Sequence, residues 1–96
     1  MTVALTKPKT AVVWRSASGG SKTTSIPGSI SANKGYALDI ITPLNNGDTH
    51  TVTPTSGTIE GVSSYSFIDR GGSLSLLSDA AHTDWIVVCL CGNTRV

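Results

Sequence analysis

Short runs of β-branched and aromatic residues alternate along this chain with turn residues, which recur every 8–12 positions. That rhythm belongs to sandwiches and barrels. A helical bundle or coiled coil needs Ala, Glu, Lys and Leu in quantity, and Glu occurs once, at Glu60. Ser and Thr take those places instead, 13 of each, so 26 of 96 positions carry short hydroxyl side chains. Set on strands, they are expected to face solvent opposite the apolar positions. The fold expected is all-β: a small antiparallel β-sandwich or barrel, jelly-roll-like, forming one domain over residues 10–96 behind an extended N-terminal arm, residues 1–9.

The strands can be placed from alternation and turn chemistry. Residues 10–15 (TAVVWR) read as the first strand and residues 16–21 as a loop. Residues 22–26 form a short second strand, stopped by Pro27-Gly28. Residues 36–42 (YALDIIT) are rich in β-formers and are closed by Pro43. Asn46-Gly47 then predicts a type I′ hairpin, because that turn needs positive φ at two successive residues. Residues 48–53 are expected to run back, with Thr49, Thr51 and Thr53 on one face and His50 and Val52 on the other. Residues 58–59, 62–68 and 73–78 continue the rhythm. Tyr65 and Phe67 share a face, and Leu74 and Leu76 point inward. The last strand, residues 83–90, differs from the rest. It puts Trp85, Val87 and Cys89 on one face and Ile86, Val88 and Leu90 on the other. Both faces are apolar, the pattern of a strand buried on two sides. In so small a domain the second side is expected to be covered by another subunit. Tyr65, Phe67, Ile86, Val88 and Leu90 are therefore the subunit-interface candidates. Trp85 is expected in the core, while Trp14 fits either core or interface.

Charge and cysteine content narrow the function. Seven Lys+Arg against six Asp+Glu leave a net charge of +1, without the basic excess of a nucleic-acid binder. No apolar run is long enough to span a membrane, and no basic region leads into an apolar run as in a secretory signal. The chain is expected to be made in the cytoplasm. Cys89 and Cys91 are the only cysteines. On an extended strand their Cα atoms should lie roughly 6.5–7 Å apart with parallel side chains, so two free thiols are expected rather than a bridge. Two such ligands are too few for a metal site.

Catalytic motifs are lacking. No serine sits in a Gly-x-Ser-x-Gly elbow. Gly19-Gly20-Ser21 and Gly71-Gly72-Ser73 do not continue into a phosphate-binding loop. Asp79, His82 and Asp84 fall close together, and Asp79 and Asp84 read more simply as turn residues accepting backbone N–H bonds. No enzyme activity, cofactor or metal is expected. Lys7, Lys9, Arg15 and Lys22 give the first quarter a basic bias. Pro8 keeps the arm extended, so that it can lie along an acidic partner surface. Lys7, Pro8, Lys9, Trp14 and Arg15 are the partner-binding candidates.

Four elements occur in a telling order: Gly57-Thr58-Ile59-Glu60-Gly61, Ser64-Tyr65-Ser66-Phe67, Gly72-Ser73-Leu74-Ser75-Leu76-Leu77-Ser78-Asp79 and Trp85-Ile86-Val87-Val88. Upstream, Ile26-Pro27-Gly28 and Gly35-Tyr36-Ala37-Leu38-Asp39-Ile40 fit the same scheme. Over residues 23–90 the chain resembles a β module of tailed-bacteriophage tail-fibre and appendage proteins. It departs from that pattern between Ser78 and Trp85, where the family's Ser-Asp-Gly-x-Asn-Trp turn is two residues longer and lacks Gly. The resemblance implies a virion structural protein, commonly a homotrimer, that binds rather than catalyses. Family modules end long shafts, whereas this chain starts at Met1 with no shaft or repeat. It is therefore expected to be a capsid decoration (cement) protein that clamps the major capsid protein on the outer shell and stabilises it by mass action. The alternative is a tail-fibre or tail-tip module attached to other tail proteins or to a host-surface glycan.

Overall fold

The structure, a computed structural model, describes residues 2–3, 9–13, 22–28, 36–78 and 84–96. Among these residues there is no helix. The strands are β1 (Lys9–Val13), β2 (Lys22–Ile26), β3 (Ala37–Ile41), β4 (Thr49–Pro54), β5 (Thr58–Ile59), β6 (Tyr65–Ile68), β7 (Ser73–Ser78), β8 (Asp84–Cys91) and β9 (Thr94–Arg95). They form a five-stranded sheet in the order β1-β3-β7-β8-β5 and a four-stranded sheet in the order β2-β4-β6-β9. Strands β2 to β7 bury alternate residues, Leu38 and Ile40 from β3 and Val52 from β4 for example. These side chains meet Phe67, Leu74, Leu76 and Trp85 in one apolar core between the sheets. Trp85 is fully buried, as its apolar strand suggests, and its indole N–H donates to the Pro27 carbonyl at 2.9 Å.

The sheets are mixed rather than antiparallel, which corrects the jelly-roll-like expectation. β1 runs parallel to β3, β2 to β4 and β5 to β8. The cause lies in the connections. From β1 to β7 the chain changes sheet at every step. β5 reaches β8 through β6 and β7, whereas β1 and β3, like β2 and β4, are separated by one strand of the opposite sheet. The intervening strands serve as the crossovers that parallel pairs require.

The Asn46-Gly47 hairpin is likewise absent, because β3 and β4 belong to different sheets. Positive φ occurs at Asn45 (51°) and Gly47 (75°), not at two successive residues. The loop binds the segment after β6 instead. The Asn45 N–H donates to Asp69 Oδ1, the Gly47 N–H to the Asp69 carbonyl, and the Asp69 N–H to the Asp48 carbonyl. The type I′ conformation appears at Glu60-Gly61, with φ of 48° and 80° and reciprocal hydrogen bonds between Ile59 and Val62. The expected faces of β4 do hold: Thr49, Thr51 and Thr53 point outward, and His50 and Val52 inward.

Two features bear on the first nine residues. Thr2 bridges Ser25 in parallel, and the Val3 N–H donates to the Ser25 carbonyl at 2.9 Å. Val3 is buried in the core. Lys9 already belongs to β1. Residues 2–3 and Lys9 are thus tied to the sheets, and the rest of the expected arm, residues 1 and 4–8, lies outside the described residues.

Candidate functional site

The five-stranded sheet turns one face to the core and one outward. The outward set can be read from register. Ala37, Asp39 and Ile41 of β3 stand opposite Leu77, Ser75 and Ser73 of β7. Those β7 residues pair in turn with Ile86, Cys89 and Cys91 of β8. The register slips between Ser75 and Leu76: Ser75 faces Cys89, Leu76 faces Val87, and Val88 has no partner on β7. Val88 is a β-bulge, one extra residue that bends the strand and re-aims the side chains beyond it. It is the most exposed large apolar residue of the strand, at 63%, and Ile86 comes next at 40%. Leu77, the β7 partner of Ile86, is half-buried beside it.

The bulge overturns the expected alternation of the last strand. Trp85 and Val87 point inward as anticipated. Beyond Val88 the parity reverses, so Leu90 packs against the core and Cys89 turns out. Leu90 is thus withdrawn from the subunit-interface candidates. Tyr65 and Phe67 are withdrawn as well: both are buried by this chain's own core, with the Arg95 guanidinium 4.6 Å above the Tyr65 ring. Ile86 and Val88 lie on the outer face, open to a partner. Of the partner-binding candidates, Lys7, Pro8, Trp14 and Arg15 lie outside the described residues, and for Lys9 only the backbone is described, paired with Ala37. His82 and Asp79 also lie outside them.

The expectation of two free thiols is corrected. Cys89 and Cys91 are joined by a disulfide, with Cα atoms 5.3 Å apart. The spacing of a fully extended strand does not apply, because the chain is contracted here, bringing the Cα atoms within the span a bridge tolerates.

Asp84 serves as a turn residue, though for a distant turn. Its Oδ1 accepts hydrogen bonds from the Thr58 hydroxyl (2.7 Å) and the Gly61 N–H (3.0 Å). The Glu60 carboxylate accepts the Val87 N–H at 2.8 Å. The two acids pin the Glu60-Gly61 turn to the start of β8. Among the described residues β5 covers only Asp84 and Trp85 on that side, so the edge of β8 is open beyond Val87.

A second polar group lies inside, at one end of the four-stranded sheet. His50 Nε2 is 3.7 Å from Asp69 Oδ2, and Lys22 Nζ is 4.0 Å from Asp48 Oδ2. The His50 ring stacks on Phe67 with centroids 5.5 Å apart. Burial pushes the His50 pKa below its usual 6.5. The charges of Asp69 and Asp48 pull the other way, and Lys22 adds to the lowering. Only 2% of His50 is exposed, which leaves no approach for a substrate. The cluster is a structural polar core. No cluster of His, Cys, Asp and Glu fit for a metal occurs among the described residues, and no helix there is long and apolar enough to cross a membrane.

No protein-family model, no curated protein and no solved structure matches this chain.

Sequence reasoning missed three elements of the structure. The bulge at Val88 has no residue signature in a run of β-branched side chains. β9 is two residues long, too short to show alternation. Val3, the sole buried residue described before β1, has no periodic neighbour to reveal it.

Proposed function

We propose that this chain is a binding and assembly protein, and specifically a structural protein of a tailed-bacteriophage virion: a capsid decoration protein that holds the outer shell as a homotrimer. The observation that carries the assembly reading is the outer face of β8, where Ile86 and Val88 stand exposed and Leu77 pairs with Ile86. Leaving such side chains in water forgoes about 1.5–3 kcal/mol each relative to burial. A partner surface recovers that energy, and a second copy of the chain is the partner always present in an assembling particle.

The phage assignment is supported by the resemblance over residues 23–90. Its elements coincide with successive features of the sandwich: the Glu60-Gly61 turn, β6, β7 and β8. The low charge suits dense packing beside identical copies, where strong like charge would repel. The partners in this reading are the chain itself and the major capsid protein. The reaction is association alone, which stabilises whichever shell conformation the trimer binds.

Copy number in purified particles is the test. Hundreds of copies per virion, on the outer surface, are expected. A few tens or fewer would move the protein to the tail, as a fibre or tip module contacting other tail proteins or a host glycan. Absence from the particle would overturn the virion reading altogether. Sedimentation of the isolated protein at micromolar concentration checks the subunit claim separately, with a trimer expected and a stable monomer refuting it.

A further inference from the structure

The two cysteines occupy a place that a regular strand would have denied them. With strict alternation from Trp85, Cys89 and Cys91 would lie under the sheet with Val87, and Leu90 would face solvent. The extra residue at Val88 inverts this. It seats Leu90 against the core and turns both sulfurs outward, opposite Ser75 and Ser73. Bulges commonly re-aim side chains in this way next to functional positions. Cys91 is exposed and Cys89 half-buried. Their Cα separation of 5.3 Å falls within the range a disulfide spans. Access is open from the edge as well, because among the described residues the β5 pairing stops at Trp85.

We propose that Cys89 and Cys91 form a thiol–disulfide exchange site on the outside of the sandwich, whose reaction partners are small thiols and disulfides of the glutathione class. In the reducing direction a thiolate attacks the exposed Cys91 Sγ. A mixed disulfide forms there, the Cys89–Cys91 bond breaks, and the Cys89 sulfur leaves with the electron pair and takes a proton. A second small thiolate then attacks the small-molecule sulfur of the mixed disulfide and releases Cys91 as a thiolate. The balance is one protein disulfide and two thiols giving a protein dithiol and one small disulfide. Oxidation runs the same steps in reverse, with the small disulfide as oxidant. Cys91 is the sulfur attacked because it is the accessible one, and access is one of the factors that governs exchange.

Intact-mass spectrometry of the full chain tests the proposal. After equilibration in oxidised glutathione, the expected species is a monomer-length chain lighter by two hydrogens and resistant to alkylation. Excess reduced glutathione should restore the mass and admit two alkyl groups. Two free, alkylatable thiols persisting in oxidised glutathione would overturn the site, and so would disulfide-linked chains as the main product. The single variants assign the entry point. Cys89→Ser, which keeps Cys91, should form a glutathione adduct several-fold faster than Cys91→Ser. Equal or reversed rates would refute Cys91 as the attacked sulfur. The wild-type mass measurement decides the site itself, whatever the variants do to folding.

Discussion

The outer faces of the two sheets obey the same alternation and arrive at opposite surfaces. On the four-stranded sheet, Thr51 and Ser66 share a hydrogen bond of 2.9 Å, and Thr53 and Ser64 one of 3.0 Å. These cross-strand hydroxyls satisfy one another and water, so the face needs no cover. On the five-stranded sheet the corresponding positions hold Leu77, Ile86 and Val88, together with the cysteine pair. Asp39, Ser73 and Ser75 share that face, yet Val88 and Ile86 remain 63% and 40% exposed. The contrast separates a finished surface from one suited to a partner, within a domain whose composition is hydroxyl-rich throughout.

The comparison holds only if the two faces clad one shared core, and the largest expected effect tests that. Phe67 belongs to the four-stranded sheet and is fully buried against residues of the other. Phe67→Ala should cost about 3–5 kcal/mol, the usual range for a truncated buried aromatic. Urea melts monitored by far-UV circular dichroism and by tryptophan fluorescence should shift together. If fluorescence kept its midpoint while the dichroism shifted, the sheets would be separate units. A smaller loss is expected at Gly72. A Cβ there would overlap the Cys91 carbonyl oxygen and crowd Gly92, both backbone and unable to rotate away. Gly72→Ala should cost about 1–3 kcal/mol, as overpacking generally does. An unchanged melting midpoint would show that β7 and β8 approach less closely at this point than a clash with Cys91 requires.

Most of the strands on both faces were legible from sequence, because their pattern is local. β2, β5 and β7 match their expected ranges, and His50 and Val52 fall on the anticipated face. Pairing was not legible. Asn46-Gly47 carries the stronger type I′ signal, yet its loop is held open by Asp69. Glu60-Gly61 adopts the turn although glutamate at positive φ is uncommon. There Asp84 and Glu60 itself tie the turn to β8, and contacts some 25 residues away override local preference. The outer face of β8 failed for a related reason. One inserted residue reverses every side chain after it, and the bulge is a property of the β7–β8 ladder.

Acid should distinguish the sheets next. Among the described residues the four-stranded sheet alone carries a buried imidazole, with Asp69, Asp48 and Lys22 around it. Its folded pKa lies below the unfolded value of 6.5, so the unfolded chain binds the proton more readily. His50 therefore contributes stability that is fully present above about pH 6.5 and lost as pH falls through the folded pKa. Denaturant midpoints should be flat from neutral pH down to about 6.5, the unfolded value, and decline below it. His50→Gln should remove that part of the slope. A slope of the same size in the variant would assign the acid sensitivity to the carboxylates.

The smallest effects fall on the outer faces, and they test what those faces are for. Thr51→Ala breaks the hydroxyl pair with Ser66 and should cost about 0.2–1 kcal/mol, the range of a cross-strand pair. Val88→Thr exchanges one methyl for a hydroxyl at an exposed bulge and should leave subunit stability within about 0.5 kcal/mol. If the proposed assembly uses this face, its consequence should appear in sedimentation instead, as weakened association, because the hydroxyl must be desolvated there. Thr51→Ala should leave sedimentation unchanged. If both variants associate like the wild type, the apolar face of β8 is not where subunits meet. The difference between the faces would then be one of composition, with the cysteine pair as the remaining reason for the bulge.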